Sequence, residues 1–140
     1  MRSVAIALLC AALALPARAS APAPTPFIVG NWYGEEQPHD PNVFWLAHFW
    51  PDGRFKALFR TCHGKTTEDE DDTGSWTLHD GVLEVTSVLV NGRAIHQPER
   101  YRTISFDGHK HVYRHERTGF VFSAVRVDGD FQLASCNLSS

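Results

Sequence analysis

Residues Phe27 to Glu36 read FIVGNWYGEE, a tryptophan set two positions from a glycine on either side, at the start of what reads as the folded part of the chain. An indole buries about 150–250 Å2 when enclosed, so it needs a large hole to fill. Glycines on both sides leave room for such a ring to lie close against the backbone. The reading is architectural: Trp32 closes one end of a small β-barrel. Just upstream, residues 20–26 (SAPAPTP) form a Pro/Ala arm that has nothing to bury and is expected to be extended.

Downstream, five Asx-Gly pairs punctuate the chain: Asp52-Gly53, Asp80-Gly81, Asn91-Gly92, Asp107-Gly108 and Asp128-Gly129. Such pairs supply the positive φ angles of tight hairpins. Each is flanked by β-branched and aromatic residues, which makes an antiparallel meander. Strands are expected near 28–36, 43–50, 54–62, 75–79, 82–90, 100–106, 110–116 and 119–127, with a short ninth at 130–134. GRAIHQPER begins the sixth strand, with Pro98 at a bulge or an edge. No run of ten residues keeps a 3.6-residue apolar period free of Gly or Pro. The fold class is therefore all-β, with eight or nine strands curled into a closed barrel spanning residues 27–140.

On GNWYG at the first strand, the chain resembles the calycin superfamily, which includes lipocalins, fatty-acid-binding proteins and avidins. GNWYGEEQPHDPN, PDGRF and a following G-x-W are similar to small lipocalin-like proteins of bacterial envelopes. The resemblance implies a barrel floor in which Gly30 and Trp32 close the end and Arg126, in FVFSAVRVDG, covers the indole. Guanidinium stacking on an indole is chemically sound. The Thr-Asp-Tyr turn of typical lipocalins has no counterpart here.

Compartment follows from the first residues. MRSVAIALLCAALALPARA, residues 1–19, combines Arg2, an apolar stretch from Val4 to Leu15 and the small-x-small pattern Ala17-Arg18-Ala19, which reads as a secretory signal peptide. That stretch is shorter than the roughly 20 residues of a bilayer-spanning helix. Cys10 lies within it, after Leu9, which does not suit lipid attachment. No other segment is apolar enough to span a membrane, so the protein is expected in the periplasm or outside the cell. Cleavage near Ala19 removes Arg2 and Arg18, so Lys plus Arg falls from 13 to 11 against 16 Asp plus Glu, a net charge of −5. A chain of that sign lacks the basic footprint of a nucleic-acid binder. The two cysteines that remain, Cys62 and Cys136, are expected to pair in an oxidising compartment. Closing a loop of about 75 residues is worth roughly 4 kcal/mol by chain entropy.

NVFWLAHFW, from Asn42, puts Val43, Trp45, Ala47 and Phe49 on one face of a strand and Phe44, Leu46, His48 and Trp50 on the other. Neither face is polar. Either the inner face lines an apolar pocket while the APAPTPF arm covers the outer one, or the strand 43–50 contacts a partner or a second copy, or the domain simply has an aromatic core. KTTEDEDDTGSW carries five consecutive acids, 68–72, with Asp69, Asp71, Thr73, Gly74 and Asp80 at spacings that echo a calcium loop. Asp80 stands where that loop needs a bidentate Glu, so the run is read as solvated charge in a connecting loop. His109, His111, Tyr113 and His115 share one strand face, and spacing alone would allow zinc or copper. With no carboxylate on that strand, an exposed or titrating histidine row is expected instead, and neither metal nor cofactor is assigned.

No nucleophile elbow, zinc-protease helix or phosphate loop is present, so no enzyme is expected. The expected function is a lumen that holds a small, largely apolar molecule, lined by Trp45, Phe49, Tyr101, Thr103, Phe120 and Phe122. Taking Arg126 as inward-facing puts Phe120, Phe122 and Ala124 on the same side. The alternative is a protein-interaction module, such as a protease inhibitor acting through the N-terminal arm.

Overall fold

Hairpin turns set the strand limits. Asp80 and Asn91 both take φ of +48°, each followed by a glycine at positive φ, the mirror-image turn that a two-residue hairpin requires. In the computed structural model, which describes residues 21, 23–35 and 39–136, eight strands follow. They are β1 (Gly30–Gly34), β2 (Val43–Phe49), β3 (Arg54–His63), β4 (Thr66–His79), β5 (Val82–Val90), β6 (Arg93–Phe106), β7 (Lys110–His115) and β8 (Val121–Val127). Every strand pairs antiparallel with its neighbour, and β1 pairs with β8, so the meander closes into an all-β barrel. The expected leader 1–19 lies outside the described residues.

Full closure leaves no unpaired sheet edge among these strands. Register irregularities at Thr73/Gly74, Ser87/Leu89 and Thr103/Ser105 provide the local bends that help a short sheet to close. The second of these lies next to the Pro98–Thr86 pair. Alternation then sends every second side chain inward. Ile28, Trp32, Phe49, Phe55, Trp76, Leu83 and Ala124 form the buried cluster at one end, the floor.

Several expectations are corrected. The fourth strand begins at Thr66, not 75, because the chain turns at Gly64 and Lys65 and pairs with β3 from Thr66 onward. The acidic run 68–72 is therefore strand and not a connecting loop. It shows no apolar alternation because its outer face meets water and its inner face meets a polar lumen. Residues 119 and 120 belong to the turn before β8. No strand forms at 130–134: Asp128-Gly129 ends β8 without a return hairpin.

The segment after β8 is instead a strap over the barrel's outside. Phe131 packs on Tyr33 of β1, ring centroids 4.8 Å apart. Arg60 of β3 donates Nη1 to the carbonyls of Leu133 and Ala134 at 3.2 and 3.1 Å, and pairs with Asp69 through two further bonds of 2.8 Å. Cys136, itself buried, is joined to Cys62 by a disulfide. Between these anchors lies β2, whose outward Leu46 and Phe44 pair in register with Tyr33 and Arg60. It is this strap, not the N-terminal arm, that crosses the outer face of β2. The arm residues 23–26 are exposed, and Phe27 turns onto the floor.

Candidate functional site

The floor is built by residues far apart in sequence. Trp32 is 1% exposed, and its Nε1 donates to the Ile28 carbonyl at 2.7 Å, so the indole is both buried and satisfied. Arg126 lies over the ring, its guanidinium carbon 4.5 Å from the centroid. The same guanidinium donates to the carbonyls of Val29 (2.8 Å) and Phe27, fastening the segment before β1. Gly30 has φ of +125°, and a Cβ there would sit 2.8 Å from Arg126 Nη1. Backbone conformation and close approach both call for glycine at this position. Phe27 stacks on Phe106 at 4.6 Å, completing the seal.

Above the floor is a cavity of about 430 Å3. That falls within the roughly 300–1,000 Å3 of small-molecule sites. Its lower wall is apolar, with Ala47, Phe49, Phe55, Ala57, Leu83 and Ala124. Of the residues expected to line it, Trp45, Phe49, Tyr101 and Phe122 do so. Trp45 lies so close to Gly34 that a Cβ on Gly34 would meet the indole at 2.3 Å. Thr103 does not reach the cavity itself and bonds through Oγ1 to His111 Nε2 at 3.0 Å. Phe120 is corrected: it is 37% exposed, in the turn before β8, with its ring stacked on His39. The parity that sends Phe122 and Ala124 inward stops where β8 stops.

The histidines of β7 are also corrected. His111 and His115 are 1% and 6% exposed, so the row faces the lumen and not the solvent, while His109 stays in the exposed turn. Burial among Phe27, Trp32 and Tyr113 pushes the His111 imidazole down to about 4. His115 Nε2 donates to Glu99 Oε2, and its Nδ1 bonds Thr118 Oγ1 at 2.8 Å. Arg117 reaches Glu99 Oε1 at 2.6 Å. Burial alone would raise the Glu99 carboxyl, but hydrogen bonds from Arg117 and His115 hold it down, to about 2.

Residues that sequence reasoning missed form the lumen's polar half: Glu70 and Asp72 of β4, Ser87 of β5, Gln97 and Glu99 of β6, and Arg117. Asp72 Oδ2 accepts from the Ser87 hydroxyl at 2.7 Å, whereas Oδ1 is shut off from solvent with no hydrogen-bond partner among the described residues. Burial pushes the Asp72 carboxyl up, with the nearby Glu70 charge adding to it and the Ser87 bond opposing. A signal was available: counting back in twos from Trp76, whose ring closes the floor, gives Gly74, Asp72 and Glu70. The calcium-loop spacing fails for the same reason, since Asp69 and Asp71 point to the opposite side of the sheet from Asp72. Among the described residues no group of three or more His, Cys, Asp or Glu is gathered to hold a metal. No helix among them is long and apolar enough to cross a membrane. Set beside known proteins, the chain matches no family model and no curated sequence.

Proposed function

We propose that the chain is an exported, lipocalin-like binding module that holds one small molecule, apolar over most of its surface, inside the barrel. The observation that carries this is the cavity: about 430 Å3 of space above an aromatic floor, in a domain small enough to have filled it with side chains. Ala47 and Ala57, paired in register on β2 and β3, keep the middle of the lumen clear where larger residues would plug it. Burial against such walls contributes on the order of 25 cal/mol per Å2 of apolar area. Holding, rather than turnover, is the role assigned to it. Export is supported by the leader-like residues 1–19 and by the Cys62–Cys136 disulfide, which belongs in an oxidising compartment.

Native mass spectrometry of protein recovered from its own host tests both parts in one spectrum. The expected result is a chain beginning near Ser20 that carries a small non-covalent mass. Ala57→Phe, which puts a ring into the middle of the lumen, should keep the fold and lose that mass. A chain that retains residues 1–19 would refute export, and a bound mass that survives Ala57→Phe would refute the lumen as its seat.

A further inference from the structure

The cavity's charge is lopsided. Its lining includes the carboxylates of Asp40, Glu70, Asp72 and Glu99, against the single guanidinium of Arg117. Arg117 is already committed, together with His115, to Glu99. Among the described residues no Lys, Arg or His forms an ion pair with Asp40, Glu70 or Asp72. Asp72 is the sharpest case, because one of its oxygens is enclosed and has no hydrogen-bond partner among the described residues. A buried charge left without a partner costs free energy, and a barrel that only needed stability would not keep one. Asp72 is itself part of the lumen lining, so a guest inside the barrel meets this side chain.

A second observation is aromatic. Tyr101 of β6 and Tyr113 of β7 pack edge to face at 5.5 Å, and Trp45 and Phe59 line the same cavity from β2 and β3, so the chamber offers aromatic faces. Rings of this kind attract an ammonium group through their quadrupoles. Tyr101 itself feels the negative field: burial, and then the charges of Glu99 and Asp72, push its phenol up to about 12.

We infer that the ligand is an organic cation: a protonated amine on an aromatic or alicyclic body, the body on the apolar floor and the ammonium between Asp72, Glu70 and the tyrosine rings. The inference rests on the lumen-binding reading and deepens it. An amine would give Asp72 the donor it lacks, supply the missing positive charge and use the aromatic wall. A neutral apolar guest would do none of these, and a carboxylate would meet three unneutralised charges of its own sign.

The test uses the full mature chain and three naphthalenes that differ only in the head group: 2-naphthylmethylamine, 2-naphthylmethanol and 2-naphthoate, titrated by calorimetry at pH 7. The amine should bind at least about tenfold tighter than the alcohol, since a charge-assisted bond to a buried carboxylate is among the stronger hydrogen bonds. The acid should be the weakest. Asp72→Asn should bring the amine down to the alcohol's affinity and leave the alcohol unchanged. Glu70→Gln, on a partly solvated position, should reduce the same preference by a smaller factor, and it serves if Asp72→Asn does not fold. Equal affinities for amine and alcohol, a preference for the acid, or an amine preference untouched in the folded variants would overturn the cation while leaving the lumen reading in place. If none of the three binds, the lumen reading itself falls and takes this inference with it.

Discussion

Arg126 serves the floor in two ways, as a cation over the Trp32 face and as a fork that donates to two backbone carbonyls. Arg126→Lys separates them, because an ammonium keeps the charge but cannot lie flat on the ring while reaching Val29 and Phe27. The variant should lose about 1–3 kcal/mol in urea unfolding, the cost of leaving buried carbonyls unpaired. Asp72 behaves in the opposite sense. Its carboxyl is raised in the folded state, so the fold takes up a proton more readily than the unfolded chain, and stability falls as pH rises past the ordinary carboxylate value of 3.8. Asp72→Asn should therefore be more stable than the parent at pH 7, with an advantage that shrinks as the pH falls toward 3.8 and is absent below it; urea midpoints at pH 7 and below 3.8 check it. The two residues also differ in how legible they were. A tryptophan between glycines has few uses other than closing a barrel, and an arginine next to last in a late apolar strand is conspicuous. Asp72 sits among five acids, where no single carboxylate stands out from its neighbours.

At the scale of the strand, β4 and β6 carry the lumen's acids and β7 carries its histidines, so acid should weaken the barrel in two stages. The His111 imidazole, pushed down to about 4 by burial, is favoured neutral in the fold. Its stabilising effect is complete above pH 6.5 and is lost as pH falls from 6.5 to 4, a loss on the order of 3 kcal/mol. Glu99, held down to about 2, stabilises fully above 4.5, and that part disappears only as pH falls from 4.5 toward 2. Urea midpoints measured every half unit between pH 3 and 8 should show the upper limb flattened in His111→Gln and the lower limb flattened in Glu99→Gln. A parent whose stability does not change between pH 6.5 and 4.5 would mean that His111 is not buried as described. Periodicity located β2, β5 and β8 well, because each has at least one apolar face. It failed on the first half of β4, where TTEDEDD is polar on both sides, and Arg60–Asp69 pairing with β3 supplied what alternation could not.

For the molecule as a whole, the strap and its disulfide decide what the barrel's exterior can touch. Both faces of β2 are apolar, and with the inner face committed to the lumen, the outer one needs a cover. The strap supplies it, pinned at Tyr33, at Arg60 and at Cys62. Packing and two hydrogen bonds hold its middle, and the covalent bond fixes it at Cys136. Replacing both cysteines by serine should cost about 2–5 kcal/mol, since the bond closes a loop of 74 residues. The barrel itself is closed by β1–β8 pairing and does not pass through the disulfide, so far-ultraviolet circular dichroism should be unchanged at room temperature. What should change is the exterior. With the strap free to lift, Phe44 and Leu46 become available, and exposed apolar area of that kind recruits dye or a second copy. The double variant should bind anilinonaphthalene sulfonate more strongly than the oxidised parent and show a concentration-dependent mass in light scattering. If it remains a monomer with the parent's dye response, Arg60 and Phe131 suffice to hold the strap, and the disulfide contributes stability alone.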